Sequence, residues 1–132
     1  MRAIISRHRD ETDRAVYFRR RAKSNVYGHP EKVTPELVDL YMDMTRREGN
    51  RQALTRRMQQ GYTGDVAQIR ALKLPSLILW GGQDRQSPPD RVKKFARDIA
   101  GSKLVMFDDL GHVPQEEDPA RTVAEVQRFL AQ

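Results

Sequence analysis

The sequence of 132 residues has the length of one ordinary domain. Because only 38% of its residues are hydrophobic and 32% are charged, we expect a hydrophobic core that is small or is completed by another polypeptide segment. The formal net charge of +6 is uneven, because the first 35 residues carry nine Lys/Arg against four Asp/Glu. Disulfides, thiol nucleophiles and cysteine metal sites are excluded by the absence of cysteine, and no apolar run approaches the ~18 residues of a membrane span.

The first 71 residues show helical patterns with narrow apolar stripes. Residues 12–23 predict a weak helix. Thr34 and Pro35 predict the start of a stronger helix, because a hydroxyl side chain caps the first turn and proline needs no hydrogen-bond partner there. The apolar face of that helix is predicted by four residues at positions i, i+3, i+4 and i+7, namely Leu37, Leu40, Tyr41 and Met44.

Two further helices are predicted before the pattern changes. Asn50 is placed to cap the first of them, which carries Leu54 and Met58 on one face, and a short helix follows around residues 66–69. These segments are rich in arginine and their apolar stripes are narrow. We therefore expect residues 1–71 to form a helical layer lying over another part of the fold, not a bundle with a core of its own.

From residue 72 onward the predicted order is strand, helix, strand, helix. Residues 77–80 are a continuous apolar run closed by two glycines, and residues 104–107 are a second run, as expected for parallel strands buried on both faces. Residues 89–100 between them have helical spacing, and Asp118 followed by proline starts a last helix. The inner side of that last helix is predicted to carry Val123, Val126 and Leu130.

One polar residue of a catalytic type follows each predicted strand: Asp84 after the first and His112 after the second. Parallel strands joined by a helix end at the same edge of a sheet and lie ~4.8 Å apart, so the two loops should emerge side by side. A carboxylate at this distance can accept the ring N–H of the histidine and stabilise the imidazolium. The order therefore predicts an orienting acid hydrogen-bonded to a general base.

Plainer roles fit the same residues. An aspartate after two glycines often accepts hydrogen bonds only from its own turn, and a histidine after a strand often lies in solvent. Asp108 and Asp109 are rival partners for His112, but their position at the end of the strand makes Asp84 the preferred acid. We expect Glu116 and Glu117 to cap or flank the last helix and His29 to lie on the surface.

The stretch from residue 70 to 132 resembles the C-terminal part of the α/β-hydrolase fold. The resemblance lies in the order and spacing of PSLILWGGQD (75–84), the double proline at 88–89, KLVMF (103–107) and GHVPQEEDP (111–119). It implies an α/β fold with parallel strands, with Asp84 as the triad acid and His112 as the triad histidine. Residues 72–132 would then be the end of the hydrolase core, and the helical residues 1–71 are similar to the cap that such enzymes insert above the site.

The sequence departs from that family at the nucleophile, which family members carry earlier in a Gly-x-Ser-x-Gly elbow. No such motif occurs here, and none of the serines has the glycine frame: Ser6, Ser24, Ser76, Ser87 and Ser102. The resemblance therefore implies a cap plus the last third of a hydrolase, with the N-terminal half and its serine or aspartate nucleophile missing. We expect the isolated chain to be inactive and to self-associate through its incomplete sheet.

Completed by an N-terminal half, the chain would act on a small-molecule substrate and hydrolyse an ester, carbon–carbon or related bond. Two alternatives are a non-enzymatic remnant or adapter that uses the cap as a binding surface, and a basic nucleic-acid-binding module. The basic residues 19–23 lack interleaved aromatic residues, so a solvated helix face is the preferred interpretation. We expect a cytoplasmic protein with no membrane partner, no cofactor and no metal.

Overall fold

A computed structural model describes residues 15–61 and 64–132 of the chain. It begins with helix α1 over residues 15–21, which continues as a turn of π-helix at Ala22–Val26. A short 3-10 helix follows at Pro30–Lys32. The predicted helix over residues 12–23 is thus confirmed from residue 15 onward, whereas residues 1–14, with Ser6, lie outside the described residues.

The two strands predicted after residue 72 form a parallel pair, from Leu77 opposite Lys103 to Gly81 opposite Phe107. Parallel pairing across a helix confirms the α/β class, with a short helix, α6, as an unpredicted addition before the last helix. The elements in chain order are α2 (Pro35–Arg46), α3 (Asn50–Gln60), α4 (Val66–Arg70), β1 (Leu77–Gly81), α5 (Pro89–Asp98), β2 (Lys103–Phe107), α6 (Pro114–Glu117) and α7 (Pro119–Leu130).

Side chains cap the helices where the sequence predicted starts. The Thr34 hydroxyl accepts the N–H of Leu37 at 3.2 Å, and the Asp118 carboxylate accepts the N–H of Arg121 at 3.0 Å. The prediction for Asn50 is wrong, because its side chain donates to the carbonyl of Met44 at 2.6 Å and so completes the end of α2. The Asp65 carboxylate caps α4 in the same way by accepting the N–H of Ala67 at 2.8 Å, whereas α3 begins after a backbone turn at Gly49 (φ 83°) and α5 begins without a side-chain cap.

Eight of the ten buried hydrophobic residues in the described part of the chain form two clusters, and Phe107 and Leu110 are buried outside them. The first joins the N-terminal helices to the loop after β2, because Val113 packs against it, and the second lies between the sheet and α5. The buried members of the first are Ala22, Tyr27, Val33, Val38 and Met42. Those of the second are Ile78, Val92 and Ile99. The helical residues before 72 therefore share a core with the loop of His112, and the predicted domain boundary at residues 71 and 72 stays a prediction.

Two predictions of buried faces are wrong, those for α2 and α7. Helix α2 buries Val38 and Met42, whereas Leu40 and Met44 of the predicted stripe are exposed. In both strands most side chains are only partly buried by the described residues, so burial of both faces stays a prediction for a complete sheet. Helix α7 buries Thr122 and exposes the side that was predicted to face inward: Val123, Val126 and Leu130. No helix within the described part of the chain is long and apolar enough to cross a membrane.

Candidate active site

The loops after β1 and β2 lie against each other along the edge of the sheet. The N–H of Gly82 donates to the carbonyl of Phe107 at 2.7 Å, and the N–H of Gln83 donates to the carbonyl of Leu110 at 2.8 Å. A Cβ atom on Gly81 would lie 1.9 Å from the carbonyl oxygen of Gly111, so only glycine permits this approach. Gly81, the last residue of β1, therefore allows the two loops to pack this closely.

Asp84 divides its two carboxylate oxygens between two tasks. Its Oδ1 accepts the backbone N–H groups of Gln86 and Ser87, each at 2.8 Å, which fixes the turn. Its Oδ2 lies 2.9 Å from Nδ1 of His112. The turn role that the sequence suggested as an alternative is thus present together with the predicted contact to the histidine, and the side chain is only 3% exposed.

His112 is held at both its backbone and its ring. Its N–H donates to the carbonyl of Val26 at 2.6 Å, while its side chain is 38% exposed. Because a carboxylate only accepts, Nδ1 carries the proton that faces Asp84, and Nε2 of the neutral ring is left as an acceptor. The predicted hydrogen bond between the two side chains is confirmed, and their role in catalysis stays a prediction at this point.

The two rival acids, Asp108 and Asp109, do not contact the His112 ring in the described hydrogen bonds. Asp109 receives two hydrogen bonds from the Arg121 guanidinium at 2.7 and 2.9 Å, and that guanidinium lowers the pKa of the Asp109 carboxyl to about 2. His29, predicted at the surface, is partly exposed, with its Nε2 3.4 Å from Asp109. Asp108 is exposed, and its carbonyl accepts the side-chain amide of Gln83 at 3.2 Å. The preference for Asp84 over both rivals agrees with this geometry.

Two glutamates near the histidine have contacts that the sequence did not reveal. The Glu117 side chain is buried and accepts the N–H of Gly111 at 2.6 Å and the N–H of His29 at 2.9 Å. Glu116 accepts the hydroxyl groups of Tyr27 and Tyr41, each at 2.6 Å. The only signal in the sequence was that both follow His112 closely. Both had been predicted merely to flank the last helix.

Burial and the carboxylate of Glu116 act together on the tyrosines. Burial first, and the neighbouring carboxylate second, raise the pKa of Tyr41 to about 12, and the same causes raise the pKa of Tyr27. Both phenols therefore stay protonated as donors over the physiological range. Among residues 15–61 and 64–132, no group of three His, Asp or Glu side chains is arranged to hold a metal ion.

Comparison with known proteins identifies the family. A sequence model of the alpha/beta hydrolase family matches residues 2–126. The uncharacterized hydrolase YugF of Bacillus subtilis is 27% identical over 108 residues, which cover 80% of this chain and 39% of YugF. Lipase 1 of Psychrobacter immobilis is 35% identical over 49 residues, which cover 37% of this chain and 16% of the lipase.

The fold agrees with this match. The esterase EaEST of Exiguobacterium antarcticum superposes with a TM-score of 0.69 at 16% identity, over 94% of this chain and 46% of the esterase. At that identity the likeness supports the fold alone. In each of these three comparisons the match spans less than half the length of the other protein. Because the family model covers nearly all of the sequence, the chain belongs to the alpha/beta hydrolase family.

Proposed function

We propose that this chain supplies the acid and the histidine of a nucleophile–histidine–acid triad. The observation that carries the proposal is the 2.9 Å contact between Asp84 Oδ2 and His112 Nδ1. The aspartate behind the ring is buried and the ring itself is partly exposed. In this arrangement the histidine takes a proton at Nε2 from the exposed side, and the buried carboxylate stabilises the imidazolium that forms.

The nucleophile in this proposal lies outside the sequence, in a Gly-x-Ser-x-Gly elbow. His112 takes the serine proton as the oxygen attacks the substrate carbonyl, and it then gives that proton to the leaving group. An acyl-enzyme remains. Water attacks it next, with His112 again as the base, and the acid product leaves while the serine regains its proton. The 132 residues contain no such elbow, so the chain alone has nothing to acylate.

We favour an ester as the bond that is cleaved, with a carbon–carbon bond next to a carbonyl as the alternative. Similarity to a protein named a lipase supports the ester. His112 would serve either chemistry, because both require a base that activates the nucleophile and an acid that protonates the leaving group. The identity of the substrate depends on residues that face the ring from the rest of the fold.

A chimera tests the proposal. The part of this chain that matches YugF would replace its counterpart in YugF, with the segment through His112 retained, and turnover of p-nitrophenyl esters by the chimera would be compared with that of the chain alone. We expect no turnover by the chain alone and activity in the chimera. That activity should fall about 10³-fold or more in Asp84→Asn and His112→Ala, while the matched control Asp108→Asn keeps it. Turnover by the chain alone that survives both substitutions would contradict the proposal.

A further inference from the structure

The loop that carries His112 is fastened to the N-terminal part of the chain by one buried side chain. Glu117 accepts the N–H of Gly111, the residue before the histidine, through Oε1 at 2.6 Å. Its Oε2 accepts the N–H of His29 at 2.9 Å. The two N–H groups lie 82 residues apart in the sequence, so a single carboxylate joins two distant segments beside the ring.

The Glu117 carboxylate is buried, so its hydrogen bonds have to compensate for the loss of water. Glu117 is only 3% exposed, and a buried carboxylate is costly unless hydrogen bonds replace the water that it has lost. Both of its oxygens are used, and both donors are backbone N–H groups whose positions depend on the path of the chain. Hydrogen bonds to a charged acceptor are also shorter and stronger than those between neutral groups. The carboxylate therefore fixes the backbone on both sides of it.

Packing around the loop leaves no room for a side chain at either of its two closest glycines. A Cβ atom on Gly111 would lie 2.2 Å from the carbonyl oxygen of Val26 and 2.8 Å from Glu117 Oε1. One on Gly28 would lie 2.5 Å from the carbonyl oxygen of Asp109. The backbones touch directly, and the N–H of His112 itself donates to Val26. A displacement of Glu117 therefore passes to the histidine without side chains in between to absorb it.

We propose that Glu117 is a positioning residue for His112. By holding the N–H groups of Gly111 and His29 together, it fixes the backbone from which the imidazole reaches Asp84. This role rests on the proposed function for its effect on turnover, but the hydrogen bonds on which it depends are independent of that function. One of the two donors, His29, lies in the bend between the π-helical turn and the 3-10 helix, so the N-terminal segment takes part in positioning the histidine loop.

Amide exchange in the 132-residue chain tests the fastening directly. Glu117→Gln keeps the size of the side chain but places an NH₂ group opposite one of the two N–H groups. We expect exchange at Gly111 and His29 to quicken about tenfold or more in this variant. The matched control is Glu116→Gln, which changes a neighbouring exposed carboxylate. Its hydrogen bonds within the described residues come from the hydroxyl groups of Tyr27 and Tyr41 and not from either amide, so both amides should exchange as in the unsubstituted chain. Equal exchange in all three proteins would overturn the inference.

The chimera described above separates positioning from stability. Glu117→Gln should lower kcat about tenfold or more with KM within about twofold, whereas a merely structural glutamate would lower the melting temperature and leave kcat of the folded enzyme unchanged. Glu117→Asp keeps the charge but is too short to reach both donors, so its kcat should lie between that of the unsubstituted chimera and that of Glu117→Gln. If Glu117→Gln does not fold, the test is made with Glu117→Asp. Full kcat in the folded variants overturns the inference.

The outcomes also distinguish this inference from the function on which it rests. If Asp84→Asn and His112→Ala leave turnover intact, the proposed function fails, whatever Glu117 does. If those two variants are inactive and Glu117→Gln keeps full kcat, the proposed function stands and the positioning role fails. Loss of kcat in all three variants, with Glu116→Gln active, supports both.

Discussion

The loop around His112 and the helix α3 differ in the burial of their side chains and in their tertiary hydrogen bonds. Around the loop, Leu110 is fully buried and the polar side chains of Asp84 and Glu117 are satisfied by hydrogen bonds. Helix α3 buries none of its eleven residues, and Leu54 and Met58 on it are exposed. The same chain thus contains one region organised by tertiary contacts and one held mainly by its own helical hydrogen bonds.

The difference shows where the geometry of the candidate site comes from. A parallel pair of strands brings the two loops to one edge, but the fine position of the histidine is set by contacts to residues 22–29 and to Glu117. None of these contacts involves α3. The acid–histidine pair is therefore assembled by a small part of the chain, and changes in α3 should leave it intact.

The comparison predicts opposite effects for one substitution made in each region. Leu110→Ala removes a fully buried side chain from a closely packed loop, so we expect the free energy of unfolding to fall by about 3 kcal/mol. Leu54→Ala, at a side chain that is 58% exposed, should change it by no more than about 0.5 kcal/mol. Urea titration followed by circular dichroism measures both values.

Equal losses in the two variants would show that α3 is packed more tightly than its exposure indicates. A large loss at Leu54 alone would reverse the comparison. The pair is matched in chemistry, since each variant deletes the same three carbon atoms, so only the surroundings differ.

The relation between the two loops was predictable because chain order favours it. A strand, a helix and a second parallel strand place both strand ends at one edge, and successive strands usually pair, so Asp84 and His112 were expected to be neighbours. The helix starts at Thr34 and Asp118 were predictable for a similar reason, since a capping side chain bonds within its own turn. Local contacts and topology thus made these features predictable, although the local role of Asn50 was predicted wrongly.

The buried faces were not predictable in this way. Helix α2 has apolar residues at six of its positions, so its pattern contains more than one stripe, and only packing selects Val38 and Met42. The burial of Glu117 was even harder to predict, because an acidic residue in a charged run normally lies in solvent. Its two donors belong to a segment 88 residues away and to a loop glycine, and neither leaves a mark near it in the sequence.

Helices α7 and α3 both expose apolar side chains, and we expect them to differ in how much they contribute to self-association. Val123 and Leu130 lie exposed on this helix, and we expect the isolated chain to self-associate partly through them. Substituting both by lysine should shift sedimentation velocity profiles toward the monomer. The matched control, Leu54→Lys with Met58→Lys on α3, should shift them less, because α3 does not adjoin the open sheet. A strictly monomeric, cooperatively melting chain would contradict the expectation.

The smallest expected effect concerns an exposed ion pair beside the histidine loop. Arg121 lowers the pKa of Asp109 to about 2 in the folded chain, below the ordinary value of 3.8. A lowered pKa means that the pair contributes to stability above about pH 4 and that this contribution is lost as the pH falls toward 2. Asp109→Asn should therefore be slightly less stable than the unsubstituted chain at pH 6, and the difference should shrink between pH 4 and pH 2.

Thermal melts of both proteins across that range measure the difference. The same substitution on an Arg121→Gln background should depend less on pH, because the guanidinium, which is the largest cause of the lowered pKa, is gone. A difference that stays constant from pH 6 to pH 2 would mean that Asp109 acts through its turn and not through its charge. The charge interaction between Arg121 and Asp109 would then contribute nothing to holding α7 against the histidine loop.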